Sequence, residues 1–498
     1  MNKLSLINKL SIVIVIIVGI IAFSFAILKA YFVPFTYDEA YTFIHFLPQD
    51  FMNIISLAKP FSANNHILST LFVKLSQNIF GSSEIALRIP SLISFSIYIV
   101  FSILIIRKIN IDFILPGFVL LISNPYLLDF FALARGYSLA ISLMMVSIFL
   151  WINYRETEEK KWYIQSLILA GFSALSNFSL LLFVASLLLL NNYYGFLRER
   201  AGINNFKQFL SRFLKWNKIN FIFLSILFIV FYEPIRRCIK YKLLYHGGHI
   251  GFWSDSIMSL LKYSLYNANY TKLLLLPLSW LLIVVLLTSL IFLFQHVKKS
   301  ILRIGDITNW NYDFILLFLL IISISISMHF LGGNRYPIDR GSLFLYPIII
   351  LIIMVTVNKL FFQFNFKKIT LILTIFASTC FVLHTIKTQN LIDFIQWKHD
   401  SQTKIMLEDL EAYRNQEFCD SNKMYFGTSW IFYPVVNYYI ISKGLNWLEL
   451  VSDKGIVGKE DYIYLKQMDV VDYQKSGYVI IKNYPITNST LLKYNENI

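Results

Sequence analysis

Repeated apolar segments, each long enough or nearly long enough to cross a lipid bilayer, constrain this chain more than any other feature of its sequence. The first, from Ser11 to Leu28, carries no charged residue. A bilayer core of about 30 Å needs ~20 helical residues at ~1.5 Å per residue. Further segments of this kind lie at 85–106, 113–131, 136–153, 162–177, 179–194, 219–235, 272–295, 313–330, 342–358 and 369–386. We therefore predict an all-α polytopic membrane protein with about eleven transmembrane helices, of which 162–194 is read as two spans or as one long kinked helix.

The composition supports a membrane protein and excludes a nucleic-acid-binding one. Hydrophobic residues make up 57% of the chain and charged residues only 15%, against about 25% charged in soluble domains. The net charge of +15 is largely carried by short loops between apolar segments, where Lys and Arg set membrane orientation. The three cysteines are too few and too scattered for a disulfide framework or a cysteine-based metal site.

The basic loops predict which parts of the chain face outwards. Alternate loops carry Arg107-Lys108, Lys160-Lys161 and Lys298-Lys299, so that side is predicted to be cytoplasmic. The long loop 29–84 and the segment after residue 386 then lie on the extracytoplasmic side. A basic cluster at 236–242 departs from the rule. The abundance of Ile, Asn and Lys fits an AT-rich bacterial genome, and hence a bacterial inner (cytoplasmic) membrane.

The amino-acid composition of the sequence changes near residue 387. Charged residues and Asn alternate there with Tyr, Ile and Trp, which predicts a soluble domain of about a hundred residues. Tyr478-Val479-Ile480-Ile481 indicates a strand, and 401–414 indicates an amphipathic helix. We predict two domains: 1–386, transmembrane, and 387–498, a small C-terminal α/β extracytoplasmic domain.

Ionisable residues collect at the outer ends of the predicted spans and leave the middles almost free of charge. A charge at the bilayer centre costs about 2.5–3.5 kcal/mol, and a transporter would need polar groups along its path. This pattern favours chemistry at the outer leaflet over conduction. The residues concerned are Asp38, Glu39, Arg88, Asp129, Arg135, Glu233, Arg236, Arg237, Arg335, Asp339 and Arg340.

These ionisable residues at the outer ends of the spans suit a substrate linked to a lipid phosphate. Carboxylates accept protons or coordinate metals, and arginines bind phosphate oxygens through a fixed fork of donors. His66 is a further candidate ligand or donor. Asp38, Glu39 and the pair His246 and His249 are candidate ligands for a divalent metal ion, the only cofactor considered. No Gly-rich nucleotide-binding motif is present.

Several short motifs, taken in order, resemble the GT-C glycosyltransferases. The similar branch is that of the dolichyl-phosphate-mannose protein mannosyltransferases (glycosyltransferase family 39) and the bacterial aminoarabinose transferases. The likeness is best over 31–140, fair at the late polar turn 335–340, and absent from the C-terminal domain. The motifs are Tyr37-Asp38-Glu39-Ala40, Asn64-Asn65-His66-Ile67-Leu68, Phe80 to Ser91, Ala134-Arg135-Gly136-Tyr137-Ser138-Leu139 and Arg335-Tyr336-Pro337-Ile338-Asp339-Arg340.

The resemblance implies an inverting enzyme that passes a hexose or pentose from a polyprenyl-phosphate carrier to an acceptor hydroxyl outside the cell. It implies that Asp38 is the catalytic base and that Glu39 shapes the site or helps hold a metal. The residues expected to bind the substrate are His66, Arg88, Arg135, Arg335, Tyr336, Asp339 and Arg340. Family members carry an acid just before the arginine at 135, and this chain has Leu133-Ala134 instead.

Two other classes stay open from the sequence. One is a transporter or flippase of lipid-linked glycans, and the other is a non-catalytic membrane subunit. Retention of Asp38 and Glu39 argues against the second. The sequence does not identify the sugar, the metal dependence or the oligomeric state. It also does not decide whether the acceptor is a lipid, a protein or a polysaccharide.

Overall fold

The computed structural model describes residues 3–58, 62, 64–200, 206–243, 246–302, 309–363, 367–417, 423–458 and 460–495. Within these ranges nine helices are long and apolar enough to cross a membrane. The chain is a multi-pass membrane protein. The nine helical segments are Lys9–Phe32, Glu84–Ile109, Gly136–Thr157, Phe178–Arg198, Lys218–Lys240, Thr271–Lys298, Trp310–Gly332, Leu345–Phe362 and Lys367–Thr388.

The two remaining predicted segments are also helical but irregular. Segment 113–131 is a pair of helices, Ile111–Ile122 and Pro125–Phe131, bent by 71°. The bend lies at Asn124, whose side chain accepts hydrogen bonds from the Tyr126 and Leu127 amides and starts the second helix. Segment 162–177 is a 17-residue helix that ends at Asn177, so 162–194 forms two helices.

The helices, numbered along the chain, include the spans and the shorter elements between them. They are α1 Lys3–Phe32, α2 Tyr37–His45, α3 Phe51–Ile55, α4 Ile67–Phe80, α5 Glu84–Ile109, α6 Ile114–Ile122, α7 Pro125–Phe131, α8 Gly136–Thr157, α9 Lys160–Ser176, α10 Leu181–Arg200, α11 Phe206–Trp216, α12 Lys218–Lys240, α13 Met258–Ser264, α14 Thr271–Leu302, α15 Asp313–Gly332, α16 Leu345–Gln363, α17 Lys367–Thr388, α18 Thr403–Glu417, α19 Tyr433–Lys443 and α20 Val470–Gln474.

The segment 29–84, expected to be a loop, is mostly helical. It holds the end of α1 and all of α2, α3 and α4. Thr36 begins α2 through a capping box, because Glu39, three residues later, accepts from the Thr36 amide. The Thr-x-x-Glu spacing is a helix-start signal that the reading of 29–84 as a loop overlooked.

The C-terminal domain contains a four-stranded sheet and packs on α2. Its strands are β1 Phe426–Thr428, β2 Tyr462–Lys466, β3 Tyr478–Tyr484 and β4 Ser489–Tyr494, in the order β1-β2-β4-β3. The first pair is parallel and the other two are antiparallel. The expected strand at 478–481 and helix at 401–414 are both confirmed, as β3 and α18.

One hydrophobic core joins this domain to the start of the chain. Phe35 stacks on Tyr438 of α19 with ring centroids 4.0 Å apart. Phe43 of α2 packs edge-on against the same ring. The division at 386/387 stays a proposal, and the shared core means that α2 is held between the membrane helices and the C-terminal domain.

A buried ion pair fixes the C-terminal end of α1. Lys29 donates to Asp129 of α7 over 2.6 Å and to Gln389 over 2.9 Å, and both charged side chains are essentially inaccessible. The Tyr266 hydroxyl and the Ile395 amide also donate to Asp129. These bonds tie α1, α7 and the segment after α17 together.

Candidate active site

The Asp38 carboxylate lies at the start of α2, on the wall of a polar cavity. The cavity has a volume of about 500 Å³. Its walls come from α2, the segment before α4, the α7–α8 turn, the α9–α10 turn and the loop before α16. The lining residues are Tyr37, Asp38, Tyr41, Ser62, Asn64, Asn65, His66, Arg135, Tyr137, Leu175, Asn177, Phe178, Ser179, Leu243, His246, Pro337, Ile338, Arg340 and Gly341.

Two arginines from distant parts of the chain meet at this carboxylate. Arg340 donates to Asp38 Oδ2 in a short hydrogen bond, and Arg135 Nη2 lies 3.7 Å from the same oxygen. Burial raises the pKa of Asp38, but the charges of Arg340 and Arg135 outweigh burial and leave that pKa below its ordinary value. Asp38 is therefore ionised at neutral pH.

Arg135 is held in place by the segment that precedes α4. It donates to the Asn64 side chain and backbone and to the Thr42 hydroxyl. Its Nη2 lies 3.0 Å from His66 Nε2. Its Nε has no hydrogen-bond partner among the described residues. Arg135 thus has one buried donor without a partner among the described residues.

His66 supports Arg135 as a neutral ring. Burial, with Arg135 and Arg340 nearby, lowers the pKa of His66 well below its ordinary value. The ring also hydrogen-bonds the Ser176 backbone, so it can donate there while accepting from Arg135. Gly136 makes this contact possible, since a Cβ at that position would lie 2.0 Å from the Ser176 oxygen and 2.6 Å from His66 Cβ.

Glu39 and Arg88 form a separate, fully buried pair behind the cavity. Arg88 donates to both Glu39 oxygens, over 2.8 and 2.7 Å, and its other donors reach the backbone oxygens of Ala30, Val33 and Pro34. Glu39 also accepts from Thr36 and from the Ala134 amide. Neither side chain lines the cavity.

The late polar turn brings only Arg340 into contact with Asp38. Asp339 adopts a left-handed conformation with φ of 50°, and its amide donates to the Ser259 hydroxyl. The Trp397 ring lies 5.3 Å from the Arg340 guanidinium carbon and restrains it. Arg335 is exposed, and Tyr336 is buried against His329 and pairs with the Gly248 backbone.

The candidate metal ligands do not converge. His246 lines the cavity, with its Nε2 4.0 Å from Asp339 Oδ2, whereas His249 is exposed. Within the described residues, no group of three or more His, Cys, Asp or Glu side chains is placed to hold a metal ion. The donors around Asp38 are mainly arginines, which suits an anion better than a cation.

Several cavity residues were not singled out from the sequence. Tyr37 and Tyr41 stack at the wall, and Tyr37 also packs edge-on against Trp430 and Tyr433 of the C-terminal domain. Aromatic faces of this kind suit the apolar face of a sugar ring. Tyr37 and Tyr41 are four residues apart on a helix that contains Asp38, and that spacing was the available signal.

Solved structures share this fold across nearly the whole chain. ArnT from Cupriavidus metallidurans in the apo state aligns with a TM-score of 0.53 and 8% identity, covering 97% of each chain. The same protein bound to undecaprenyl phosphate aligns with a TM-score of 0.51, at the same identity and coverage. The GT-C fold expected from the sequence motifs is confirmed by this likeness. No protein-family model and no curated protein matches the sequence.

Proposed function

We propose that the protein is a glycosyltransferase that moves a sugar from a polyprenyl-phosphate donor to an acceptor hydroxyl, with inversion, on the extracytoplasmic face of a bacterial cytoplasmic membrane. One observation carries the proposal. A single carboxylate, Asp38, is shared by two arginines in a polar cavity at one end of a bundle of apolar helices. In this proposal Asp38 is the proton acceptor and the two arginines are the phosphate-binding pair of one site.

Arg135 and Arg340 are the residues proposed to bind the donor phosphate. Guanidinium groups match phosphate oxygens geometrically and stay charged. Arg135 and Arg340 both line the cavity. Arg88 was an equal candidate in the sequence, but its donors are already taken by Glu39 and by backbone oxygens. We assign Arg88 and Glu39 a positioning role.

An apolar groove beside the cavity supports a lipid-linked donor. It lies along α12 next to the start of α10, has a volume of about 740 Å³, and is lined by side chains such as Leu181, Phe228 and Phe231. Phe178 of the cavity wall packs against Phe231 of the groove, with ring centroids 5.7 Å apart. A phosphate at Arg340 with its polyprenyl chain along this groove would occupy both sites. The structurally similar ArnT binds undecaprenyl phosphate, which supports a polyprenyl-phosphate donor for this protein.

The reaction needs one proton transfer and one displacement. The acceptor oxygen attacks the anomeric carbon, its proton passes to the Asp38 carboxylate, and the bond between that carbon and the phosphate oxygen breaks. The electron pair leaves with the polyprenyl phosphate, whose charge Arg135 and Arg340 stabilise. Attack opposite the leaving group inverts the anomeric configuration.

Donor binding should make Asp38 a better base. In the free protein the two arginines lower the pKa of Asp38, which weakens it as a proton acceptor. A donor phosphate that takes hydrogen bonds from Arg340 removes part of this stabilisation and adds a nearby negative charge. Both changes raise the pKa of the carboxyl, so the base becomes effective only once the donor is in place.

This coupling predicts a pH effect of defined sign. Asp38 must be ionised to act, so activity falls as the pH falls through its pKa. The acid limb of kcat/KM, which reports the free enzyme, should lie below the ordinary aspartate value, and the acid limb of kcat should lie at higher pH. Arg340→Gln should move the kcat/KM limb upwards. The coupling would be contradicted if the acid limbs of kcat and kcat/KM fell at the same pH and Arg340→Gln did not move the kcat/KM limb.

The proposed function is tested with purified protein in lipid nanodiscs and a panel of polyprenyl-phosphate sugars. We expect release of free polyprenyl phosphate and formation of a glycosylated product with at least one donor, and none with the matching nucleotide sugars. Movement of an intact labelled donor between leaflets, without bond cleavage, would instead identify a flippase. No cleavage and no movement with any donor would favour a non-catalytic subunit.

A further inference from the structure

A second cavity lies on the C-terminal domain, where the segment before α18 meets the ends of β2 and β4. Its volume is about 540 Å³, and its lining residues are Lys398, His399, Lys466, Gln467, Met468, Ile486, Thr487 and Asn488. Three of these side chains carry basic nitrogens. None of the described residues in this lining carries a carboxylate, so the cavity is positive or neutral throughout.

The second cavity is connected to the first through a short stretch of chain. Asp400 accepts a hydrogen bond of 2.7 Å from the Tyr37 amide, next to Asp38. Trp397 packs on Arg340. Lys398 and His399 lie between these two anchored residues and face the second cavity. The segment that lines the second cavity is therefore anchored at both ends to residues of the first cavity.

The charged groups of this cavity are its two lysines. Lys398 and Lys466 form no ion pair within the described ranges of the chain. Burial and the charge of Lys466 lower the pKa of His399 to about 4, so its ring is neutral at pH 7. His399 Nε2 is buried without a hydrogen-bond partner, although Asp400 Oδ2 lies 3.4 Å away.

We propose that Lys398, His399 and Lys466 bind a phosphate group carried by the acceptor and thereby present an acceptor hydroxyl to Asp38. The presentation of an acceptor hydroxyl rests on the proposed transfer function. The binding of a phosphate group does not. Two flexible ammonium groups and one imidazole supply several rotatable donors, which suits a phosphate. The donor phosphate is held separately by Arg135 and Arg340, so the two anions do not compete.

Binding of a phosphorylated probe to the full-length protein in nanodiscs tests this site. The soluble probes are methyl glucoside 6-phosphate and methyl glucoside, and the lipid probes are phosphatidic acid and diacylglycerol. We expect the phosphorylated member of at least one pair to bind ten-fold or more tightly. Preference within the soluble pair assigns a glycan phosphate, and preference within the lipid pair alone assigns a lipid headgroup.

The lysine variants localise the preference. Lys398→Gln with Lys466→Gln should abolish it, and Lys466→Met alone, a milder change, should reduce it. The control variant carries Lys454→Gln and Lys475→Gln, which change two exposed lysines of the same domain. This control should retain the preference for the phosphorylated probe. No preference in the wild type, or a preference that survives in the folded double variant, overturns the proposal. Hydrolysis of the donor, in which water replaces the acceptor hydroxyl, should release polyprenyl phosphate at the same rate in the wild type and in all these variants. Failure of the wild type to cleave any donor, with or without acceptor, would count against the transfer function instead.

Discussion

Asp38→Asn should reduce sugar transfer by about 10²–10⁴-fold, the range that a positioned general base contributes. Asparagine keeps the size of the side chain but cannot take the acceptor proton. The change also frees Arg340 and Arg135 from the carboxylate that now holds them. The variant should therefore bind polyprenyl phosphate at least as tightly as the wild type while failing to transfer. Transfer is measured as labelled product, and binding is measured with the sugar-free carrier.

The matched control for this variant is Asp50→Asn. Asp50 is exposed and begins α3 by accepting from the Asn53 amide, a cap that asparagine serves equally well. It should keep wild-type transfer. Equal transfer by Asp38→Asn and the wild type would remove Asp38 from the mechanism. Weaker carrier binding by Asp38→Asn would show that the carboxylate assists binding and does not compete with the phosphate.

Glu39→Gln should destabilise the protein by about 3–5 kcal/mol, the usual cost of removing one partner from a buried ion pair. The Arg88 guanidinium would stay buried without a countercharge. A glutamine amide also cannot accept all five hydrogen bonds that the Glu39 oxygens receive. We expect a lower melting temperature in detergent, and activity that falls in proportion to the folded fraction.

Glu233→Gln is the comparison for this effect. Glu233 also binds arginine, through Arg236 and Arg237, but at the exposed end of α12. Surface ion pairs contribute little to stability, so the melting temperature of the Glu233→Gln variant should equal that of the wild type within error. A Glu39→Gln variant that melts normally but has lost transfer would mean that Glu39 acts in the reaction and does more than position α2.

The spans could be predicted from the sequence because they depend on local pattern. An apolar run such as 11–28 has to be helical in lipid, where every backbone polar group must be bonded internally. The long helices agree with that prediction. The break at Asn124 was missed because an Asn-Pro step inside an apolar run changes hydropathy very little.

The roles of the four candidate arginines could not be separated in the same way. Arg88 and Arg340 look alike in sequence, yet one is enclosed by Glu39 and backbone oxygens and the other contacts Asp38. Which arginine meets which carboxylate depends on contacts across 49 and 302 residues. The packing of the C-terminal domain, including Trp397 on Arg340, also joins residues far apart in sequence. Local sequence patterns therefore do not predict it.

The most direct test of the proposed site is a cryo-EM structure of the full-length protein in nanodiscs with undecaprenyl phosphate. We expect phosphate density between Arg135 and Arg340, loss of the Arg340–Asp38 hydrogen bond, and a lipid chain along the groove on α12. Phosphate bound elsewhere, with the Arg340–Asp38 contact intact, would contradict the proposed site.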